Sequence, residues 1–307
     1  MSSRLATTLC GISLKAPVLA ASGTYAYGVE FKKLTDLSAI GGIVVKGLSR
    51  EAMEGNPPPR VVETEGGMVN SIGLQNIGVR AFVAEKLPAL RGSGTAIFAN
   101  VFGYAVEDYV EVVRVLEDAE GIAGYELNVS CPNTKHGGIF FSNDPALLGE
   151  LVGAVRAKCR RPLIVKLSPN VTSIAKMAKV AADAGADALS LVNTFLAMSI
   201  DVETRKPRLS NVTGGLSGPA IKPIALRMVY EVAHTVSIPV IGMGGIVTPE
   251  DAVEFLLAGA TAVQVGTASF ADPRAVERIA GGLESWCRTH HVERVASLTG
   301  ALDAPRG

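Results

Sequence analysis

The sequence lacks both the paired cysteines and the charge excess that mark several common classes of protein. Its four cysteines, Cys10, Cys131, Cys159 and Cys287, stand far apart without a C-x-x-C spacing, so neither a zinc site nor a redox dithiol is predicted. The 29 basic and 29 acidic side chains cancel, which gives no basic field for nucleic acid or for an anionic membrane. Isolated thiols are typical of a reducing compartment. The composition therefore predicts a cytoplasmic protein that binds neither nucleic acid nor a membrane.

Long apolar runs and common cofactor fingerprints are also missing. No run reaches the roughly 18 apolar residues of a membrane span, and the N-terminus, "MSSRLATTLCGISLKAP", has no signal-peptide core. No G-x-G-x-x-G follows a first strand, so this chain has no predicted nicotinamide site. There is no cysteine cluster for an iron–sulfur centre and no histidine or carboxylate cluster with metal spacing, so no metal is predicted.

Short apolar segments alternate with helix-like segments along the whole chain. Runs such as "LIVKL" and "IPVIG" are rich in Val, Ile and Leu, as strands buried on both faces should be. The alternation predicts an α/β fold, a (β/α)8 TIM barrel formed by residues 1–307 as one domain. A doubly wound sheet is the alternative, because periodicity does not show whether a sheet closes. The predicted strands are 17–20, 42–46, 96–101, 124–129, 162–167, 188–193, 238–243 and 261–266, and the predicted helices are 79–90, 106–119, 145–158, 173–184, 219–236, 249–258 and 273–288.

Polar residues and glycines gather at the ends of the predicted strands. Active sites of barrels lie at the C-terminal ends of the strands, so these residues predict one functional face. They are Ser22, Lys46, Gly47, Asn100, Asn128, Lys166, Asn193, Thr194, Gly244, Gly245, Gly266 and Thr267.

Two glycine-containing segments, "GMGGI" at 242–246 and "VGTA" at 265–268, follow strands 7 and 8. Loops at these places in barrels often hold a phosphate, because glycine lets the backbone approach the ligand closely. "GGLSGP" at 214–219 could add another close approach. The alternative is ordinary turn chemistry.

Lys46 and Lys166 each end an apolar strand, where an ammonium group would lose hydration unless an anion met it. The alternatives are that each side chain reaches water or pairs with a structural carboxylate. A flavin is a suitable anion, because its reduced form develops negative charge that a lysine stabilises.

Cys131 differs from the other cysteines, which we interpret as small buried side chains. It follows a strand end and lies between Asn128 and Asn133. A thiol placed there could be a nucleophile, a metal ligand or a proton acceptor. With only His136 near it in the sequence and no metal spacing, proton abstraction beside a flavin is the favoured interpretation.

Seven segments together resemble dihydroorotate dehydrogenase of class 1. They are "APVLAASGTY", "GNPPPRVVETEGGMVNSIGLQN", "NVSCPNTKHGG", "VKLSPNV", "TGGLSGPAIKP", "GMGGI" and "VGTA". Within class 1, "SCPNTKHGG" and "LSPNV" are more similar to the NAD-dependent subclass 1B catalytic subunit than to the fumarate-dependent 1A homodimer. Class 2 enzymes use serine as the base and carry an N-terminal membrane-associating extension, so they fit less well. The prolines of "GNPPPR" differ slightly from the usual family pattern, and the position of Gly47 is variable in the family.

The resemblance implies oxidation of (S)-dihydroorotate to orotate, the fourth step of pyrimidine synthesis, with hydride transfer to FMN and Cys131 as the base. It also implies two sets of binding residues. Dihydroorotate would be held by Lys46, Asn70, Ser71, Ile72, Gly73, Leu74, Asn128, Asn133, Asn193 and Thr194. FMN would be held by Ser22, Lys46, Gly47, Asn100, Asn128, Lys166, Val192, Gly218, Gly244, Gly245, Gly266 and Thr267.

The subclass 1B resemblance further implies a partner. Electrons would pass to NAD through an electron-transfer subunit carrying FAD and a [2Fe-2S] cluster, in a heterotetramer built on a catalytic-subunit homodimer. Three alternatives stay open: a class 1A enzyme, a flavoenzyme similar to the pyrimidine-reducing domain of dihydropyrimidine dehydrogenases, and a non-catalytic flavin-binding barrel.

Overall fold

The computed structural model describes residues 4–130 and 141–304, and its central feature is a closed barrel of eight parallel strands. Each strand pairs with its sequence neighbour, and the last pairs with the first through the register Val263↔Val18. The predicted (β/α)8 barrel is therefore confirmed, and the doubly wound sheet is excluded because the sheet closes. The strands are β1 Val18–Ala20, β2 Gly42–Val44, β3 Ala96–Val101, β4 Gly124–Asn128, β5 Leu163–Lys166, β6 Ala188–Leu191, β7 Val240–Met243 and β8 Ala262–Val265.

Helices cover the outside of the barrel in the segments where the sequence analysis predicts them. Three of their N-termini are capped by side chains: Asp144 accepts from Ala146 N and Leu147 N, Ser173 accepts from Lys176 N, and Thr248 forms a capping box with Asp251. The connection between β1 and β2 differs, because it contains only two short 3₁₀ turns. The helices are α1 79–90, whose middle turns Phe82–Lys86 are π-helical, α2 Val106–Glu117, α3 Pro145–Arg156, α4 Ile174–Asp183, α5 Lys222–Ala233, α6 Pro249–Leu257, α7 Ala268–Ala271 and α8 Ala275–Thr289.

The N-terminal end of the barrel is closed by a hairpin of Thr7–Leu9 and Ile12–Leu14. Leu9 and Leu14 are buried and form one apolar cluster with inward-facing side chains of the barrel strands, including Phe98. This end is a packed core, so the cavity described below belongs to the opposite end.

A second sheet, which the sequence analysis does not predict, stands at the C-terminal end of the barrel. It has four antiparallel strands in the order Phe195–Met198, Thr213–Ser217, Gly67–Asn70 and Val61–Thr64. These strands come from the segments that follow β2 and β6, so the sheet ties two distant parts of the chain together above the barrel.

Candidate active site

The C-terminal end of the barrel holds a cavity of ≈ 560 Å³. Every candidate site residue that falls within 4–130 or 141–304 lines this cavity, while Cys131 and Asn133 lie outside the described residues. The structure therefore brings together the strand-end residues that the sequence analysis singles out. The candidate residues on the cavity wall are Ser22, Lys46, Gly47, Asn70, Ser71, Ile72, Gly73, Leu74, Asn100, Asn128, Lys166, Val192, Asn193, Thr194, Gly218, Gly244, Gly245, Gly266 and Thr267.

Hydrogen bonds between loops fix the rim of this cavity. Ser22 Oγ donates to the Val45 carbonyl at 2.8 Å, which joins the ends of β1 and β2. Thr267 Oγ1 lies 2.8 Å from Ser217 Oγ and joins the end of β8 to the four-stranded sheet. The rim is thus held by side chains that are close to the cavity, so its shape is largely set before a ligand enters.

Three glycines of the cavity wall have positive φ and tight surroundings. A Cβ on Gly245 (φ 77) would stand 2.9 Å from the Gly218 carbonyl oxygen, and one on Gly218 (φ 104) would stand 2.6 Å from Gly67 Cα. Gly244 (φ 123) is similarly restricted by Ala225. Only glycine fits these positions, and its bare backbone leaves room for a ligand such as a phosphate to approach.

Asn128 and Asn193 form a polar wall between β4 and β6. Asn193 Nδ2 donates to Asn128 Oδ1 at 3.3 Å, and Asn193 Oδ1 accepts from Thr194 N at 2.8 Å. The backbone carbonyl of Asn128 accepts from the hydroxyl of Tyr109 at 2.8 Å. These bonds set the orientation of both amides, so their remaining donors and acceptors face a ligand in a fixed arrangement.

The 70–74 segment forms another part of the cavity wall. Asn70 ends a strand of the upper sheet, and its Nδ2 donates to the Gly215 carbonyl at 3.3 Å. Ser71 is 2% exposed, and its hydroxyl has no hydrogen-bond partner among the described residues. A buried hydroxyl without a partner is costly, so this atom is suited to a polar ligand group.

Lys46 follows β2 and is partly buried in the cavity wall. Burial, together with the positive charge of Arg60, lowers its pKa from the ordinary 10.5. No carboxylate of the described residues lies within 4 Å of its Nζ. An ammonium group in this position favours an anionic ligand, because an anion would restore the stabilisation that water no longer gives.

Lys166 has a different environment, which agrees with the structural-carboxylate alternative for this residue. Its side chain is 8% exposed, and Nζ lies 3.9 Å from Oε1 of the fully buried Glu126. Glu126 also accepts from Asn100 Nδ2 at 2.8 Å, Ser190 Oγ at 2.8 Å and Gln264 Nε2 at 2.7 Å. The floor of the cavity therefore rests on a buried polar cluster contributed by five strands.

The sequence analysis misses Glu126, Ser190 and Gln264. A signal for two of them exists in the sequence, because Glu126 stands two residues before Asn128 and Gln264 two residues before Gly266, and residues two apart in a strand share a face. A polar or charged residue in an otherwise apolar strand, two positions before a candidate site residue, is predicted to point into the barrel beneath the site.

The cavity fits the FMN that the family resemblance implies. Asn100 and Gln264 each carry a buried amide oxygen with no partner among the described residues, and both residues line the cavity. A flavin ring supplies N–H donors for such oxygens, the two lysines suit its anionic reduced form, and the bare glycines suit a phosphate. Ser22, Lys46, Asn100, Lys166, Gly244, Gly245, Gly266 and Thr267 are the residues that would hold it.

Comparison with known proteins agrees with this geometry. A profile of the family described as dihydroorotate dehydrogenase matches residues 4–286. A "Putative dihydroorotate dehydrogenase A (fumarate)" from Solibacter usitatus is 68% identical over 98% of this chain and 99% of its own. A "Dihydroorotate dehydrogenase B (NAD(+)), catalytic subunit" from Pelobacter propionicus is 55% identical over 97% of this chain and 98% of its own. The chain is thus similar along nearly its whole length to proteins named for two different electron acceptors.

A solved structure shows the same fold at low sequence identity. The crystal structure of DHODH from Eimeria tenella in complex with ferulenol is 22% identical, covers 98% of this chain and 89% of its own, and gives a TM-score of 0.79. Within 4–130 and 141–304, no helix has both the length and the apolar character needed to cross a bilayer.

Proposed function

The chain belongs to the dihydroorotate dehydrogenase family of oxidoreductases, and on that premise we propose that it is the FMN-dependent, subclass 1B catalytic subunit of pyrimidine biosynthesis, built as one barrel domain. The observation that carries the proposal is the convergence of the 19 described candidate residues on one cavity. Within it, Lys46 is a cation with no carboxylate within 4 Å among the described residues, which suits the carboxylate of dihydroorotate.

The reaction removes a hydride from C6 and a proton from C5 of dihydroorotate, which leaves the C5=C6 double bond of orotate. FMN, when bound, supplies the hydride acceptor. Cys131 takes the C5 proton; it directly follows Ser130 in the sequence and stands three residues after Asn128, the last residue of β4. A thiolate is the competent base, and an ordinary thiol of pKa about 8.5 is mostly protonated at neutral pH. The rate of proton removal is therefore expected to rise with pH.

The substrate is recognised by charge and by amides. Lys46 pairs with the carboxylate, while the polar walls of Asn70, Asn128 and Asn193 bind a ring whose edge alternates carbonyl and N–H groups. Asn133, which lies outside the described residues, is assigned to the same pocket by the family resemblance. Since each amide offers two donors and an acceptor, three oriented amides can match such a ring and exclude water from the reacting face.

An anaerobic titration of the FMN-loaded protein with dihydroorotate tests the reaction. We expect the visible flavin band to bleach and orotate to appear in equal amount. Bleaching by dihydrouracil but not by dihydroorotate would indicate an enzyme similar to dihydropyrimidine dehydrogenases, because only dihydroorotate carries a carboxylate. A flavin band that neither compound changes would contradict the proposed reaction.

The more specific part of the proposal is that NAD is the final electron acceptor. The Pelobacter propionicus relative and six others, 52 to 55% identical, carry the name of the NAD-linked catalytic subunit. On this support we assign an electron-transfer partner with FAD and a [2Fe-2S] cluster, and a heterotetramer on a catalytic-subunit dimer. The 68% identical relative named for fumarate supports class 1A as the second candidate.

Fumarate separates the two candidates directly. The isolated chain is reduced by dihydroorotate and then mixed with fumarate under anaerobic conditions. Rapid reoxidation of the flavin and formation of succinate would establish class 1A and overturn the partner. No reoxidation by fumarate, together with copurification from native cells of a chain with the spectra of FAD and [2Fe-2S], would support subclass 1B.

An exposed apolar surface beside the upper sheet supports the dimer. Leu196 and Met198 lie on one face of the same strand, and Ile200 and Val202 follow them, all with exposed side chains. Contiguous exposed apolar side chains favour a contact surface. Light scattering of the wild type and of Leu196→Lys/Met198→Lys tests this, and an unchanged mass for the variant would exclude this surface as the dimer contact.

A further inference from the structure

Glu126 lies below the cavity rather than on its wall, yet it contacts three residues of that wall. Asn100, Lys166 and Gln264 line the cavity, while Glu126 and Ser190 stand behind them at 0% exposure. A lone carboxylate in such a place would lose several kcal/mol of hydration. Three hydrogen bonds and the nearby ammonium of Lys166 offset that loss.

The Glu126 carboxylate fixes the orientation of the side-chain amides of Asn100 and Gln264. An ionised carboxylate can only accept hydrogen bonds, so the NH₂ ends of Asn100 and Gln264 must be the ends that face Glu126. Their bonds to it measure 2.8 Å and 2.7 Å. The opposite ends, Asn100 Oδ1 and Gln264 Oε1, are buried and have no partner among the described residues. The amide orientation therefore follows from the chemistry of Glu126.

The same carboxylate sets the charge of the cavity floor. With Glu126 in place, the positive charge of Lys166 has a counter-charge at 3.9 Å. Without it, the floor would carry an uncompensated positive charge directly beneath the ligand. A net positive floor stabilises an anionic ligand more strongly than a neutral floor does.

On the basis of the FMN-dependent function proposed above, we propose that Glu126 is a positioning residue for the flavin. It turns the carbonyl oxygens of Asn100 and Gln264 towards the cavity, where they would be available to the single N–H donor of the oxidised flavin ring and to the additional N–H of the reduced ring. It also limits how strongly Lys166 favours the reduced anionic flavin. Glu126 acts only through these three side chains and touches neither the flavin nor the substrate.

The variant Glu126→Gln tests this role, because it keeps the shape and removes the charge. Glutamine has one acceptor oxygen and brings an NH₂ of its own, so it cannot accept from both amides and the serine as the carboxylate does. One of the two wall amides loses its partner or reverses. We expect the dissociation constant of FMN from the apoprotein, measured by fluorescence quenching, to rise at least about tenfold.

The reduction potential gives a readout that a merely structural role would not move in this direction. Removal of the negative charge favours the anionic reduced flavin, so the reduced-to-oxidised ratio at a fixed potential should rise about tenfold, which is about 30 mV for a two-electron couple. The potential of the bound flavin is therefore expected to become more positive in Glu126→Gln even though FMN binds more weakly.

Two control variants separate this effect from simple loss of stability. Glu117 is a second carboxylate with low exposure, 7% for its side chain, and it accepts from Tyr125 and Arg160 outside the barrel. Glu117→Gln should lower the melting temperature and leave FMN affinity and potential within twofold of the wild type. Ser190→Ala removes one donor to Glu126 but leaves the carboxylate, so both amides keep their orientation and FMN affinity stays close to that of the wild type.

The outcomes distinguish this inference from the function on which it rests. A tenfold loss of affinity and a more positive potential in Glu126→Gln alone would support the role of Glu126. If the wild type binds FMN and Glu126→Gln behaves as Glu117→Gln does, Glu126 has no positioning role and the proposed function still stands. A wild type that takes up no FMN would overturn both.

Discussion

Nζ of Lys166 lies 3.9 Å from Oε1 of Glu126, on the strand beside it. The second lysine of the cavity, Lys46, has no carboxylate within 4 Å among the described residues, and burial lowers its pKa. The two lysines therefore differ in their electrostatic environments. Lys166 neutralises the buried charge of Glu126, whereas the positive charge of Lys46 has no nearby counter-charge among the described residues.

We expect opposite stability effects when the two lysines are replaced by methionine. Lys166→Met leaves Glu126 buried without its cation and should lower the free energy of unfolding of the apoprotein by about 3 kcal/mol. Lys46→Met removes a poorly solvated ammonium group and should leave that free energy unchanged or slightly higher. Chemical denaturation of both apoprotein variants measures this. Equal losses would show that the two lysines have equivalent environments.

The affinity for orotate should fall as the pH rises through the pKa of Lys46. The protonated amine binds the carboxylate, so affinity is complete below this pKa and is lost above it. Burial and Arg60 lower this pKa from 10.5, so the loss begins at lower pH than it would for an exposed lysine. Calorimetric titration of orotate from neutral to alkaline pH measures it. Lys46→Met should bind orotate weakly with a flat profile, and a flat wild-type profile would remove Lys46 from carboxylate recognition.

The barrel, and the part of the cavity wall that its strand ends form, could be predicted from the sequence. Parallel strands give recognisable local patterns, and all of them end at the same side of the barrel. The buried strands are mostly apolar runs, and the C-terminal residue of each lies at the same end of the barrel as all the others. Asn100, Asn128 and Lys166 are therefore predicted to converge although the sequence between them is long, and in the structure they line one cavity. Their individual roles remain predictions.

The upper sheet and the Glu126 cluster depend on pairings that no local pattern shows. Asn70 pairs with Gly215, 145 residues away in the sequence, and the strand Thr213–Ser217 is rich in glycine and lacks strand-like alternation. The partners of Glu126 come from four other strands. The sequence shows that a charge lies within an apolar strand, but the barrel must close before its partners are known.

Gly245→Ala should weaken FMN binding without unfolding the protein. The new Cβ would stand 2.9 Å from the Gly218 carbonyl oxygen and 2.8 Å from Lys222 Cβ, at a φ of 77° that alanine rarely adopts. The loop must shift, and with it the backbone that approaches the ligand. We expect the dissociation constant of FMN to rise about tenfold or more.

The control for this substitution is Gly281→Ala in α8. A Cβ on Gly281 meets nothing within 4 Å, and the position is helical. This variant should gain about 0.5 to 1 kcal/mol of stability and bind FMN as the wild type does. If both variants bind FMN equally well, close backbone approach at Gly245 is not required.

Cys131→Ala should retain FMN and orotate binding and lose most of the flavin reduction by dihydroorotate, because the C5 proton then has no acceptor at that position. Positioned bases contribute about 10² to 10⁴ in rate, so a loss of this size is expected in anaerobic stopped-flow traces.

In the wild type the same rate should rise with pH, since the thiolate is the active form and a thiol of pKa about 8.5 is mostly protonated at neutral pH. Cys131→Ser keeps a weakly acidic hydroxyl and should be slow with a pH profile shifted to higher pH. A variant that reduces flavin as fast as the wild type, at a pH where chemistry limits the rate, would assign the proton to another group.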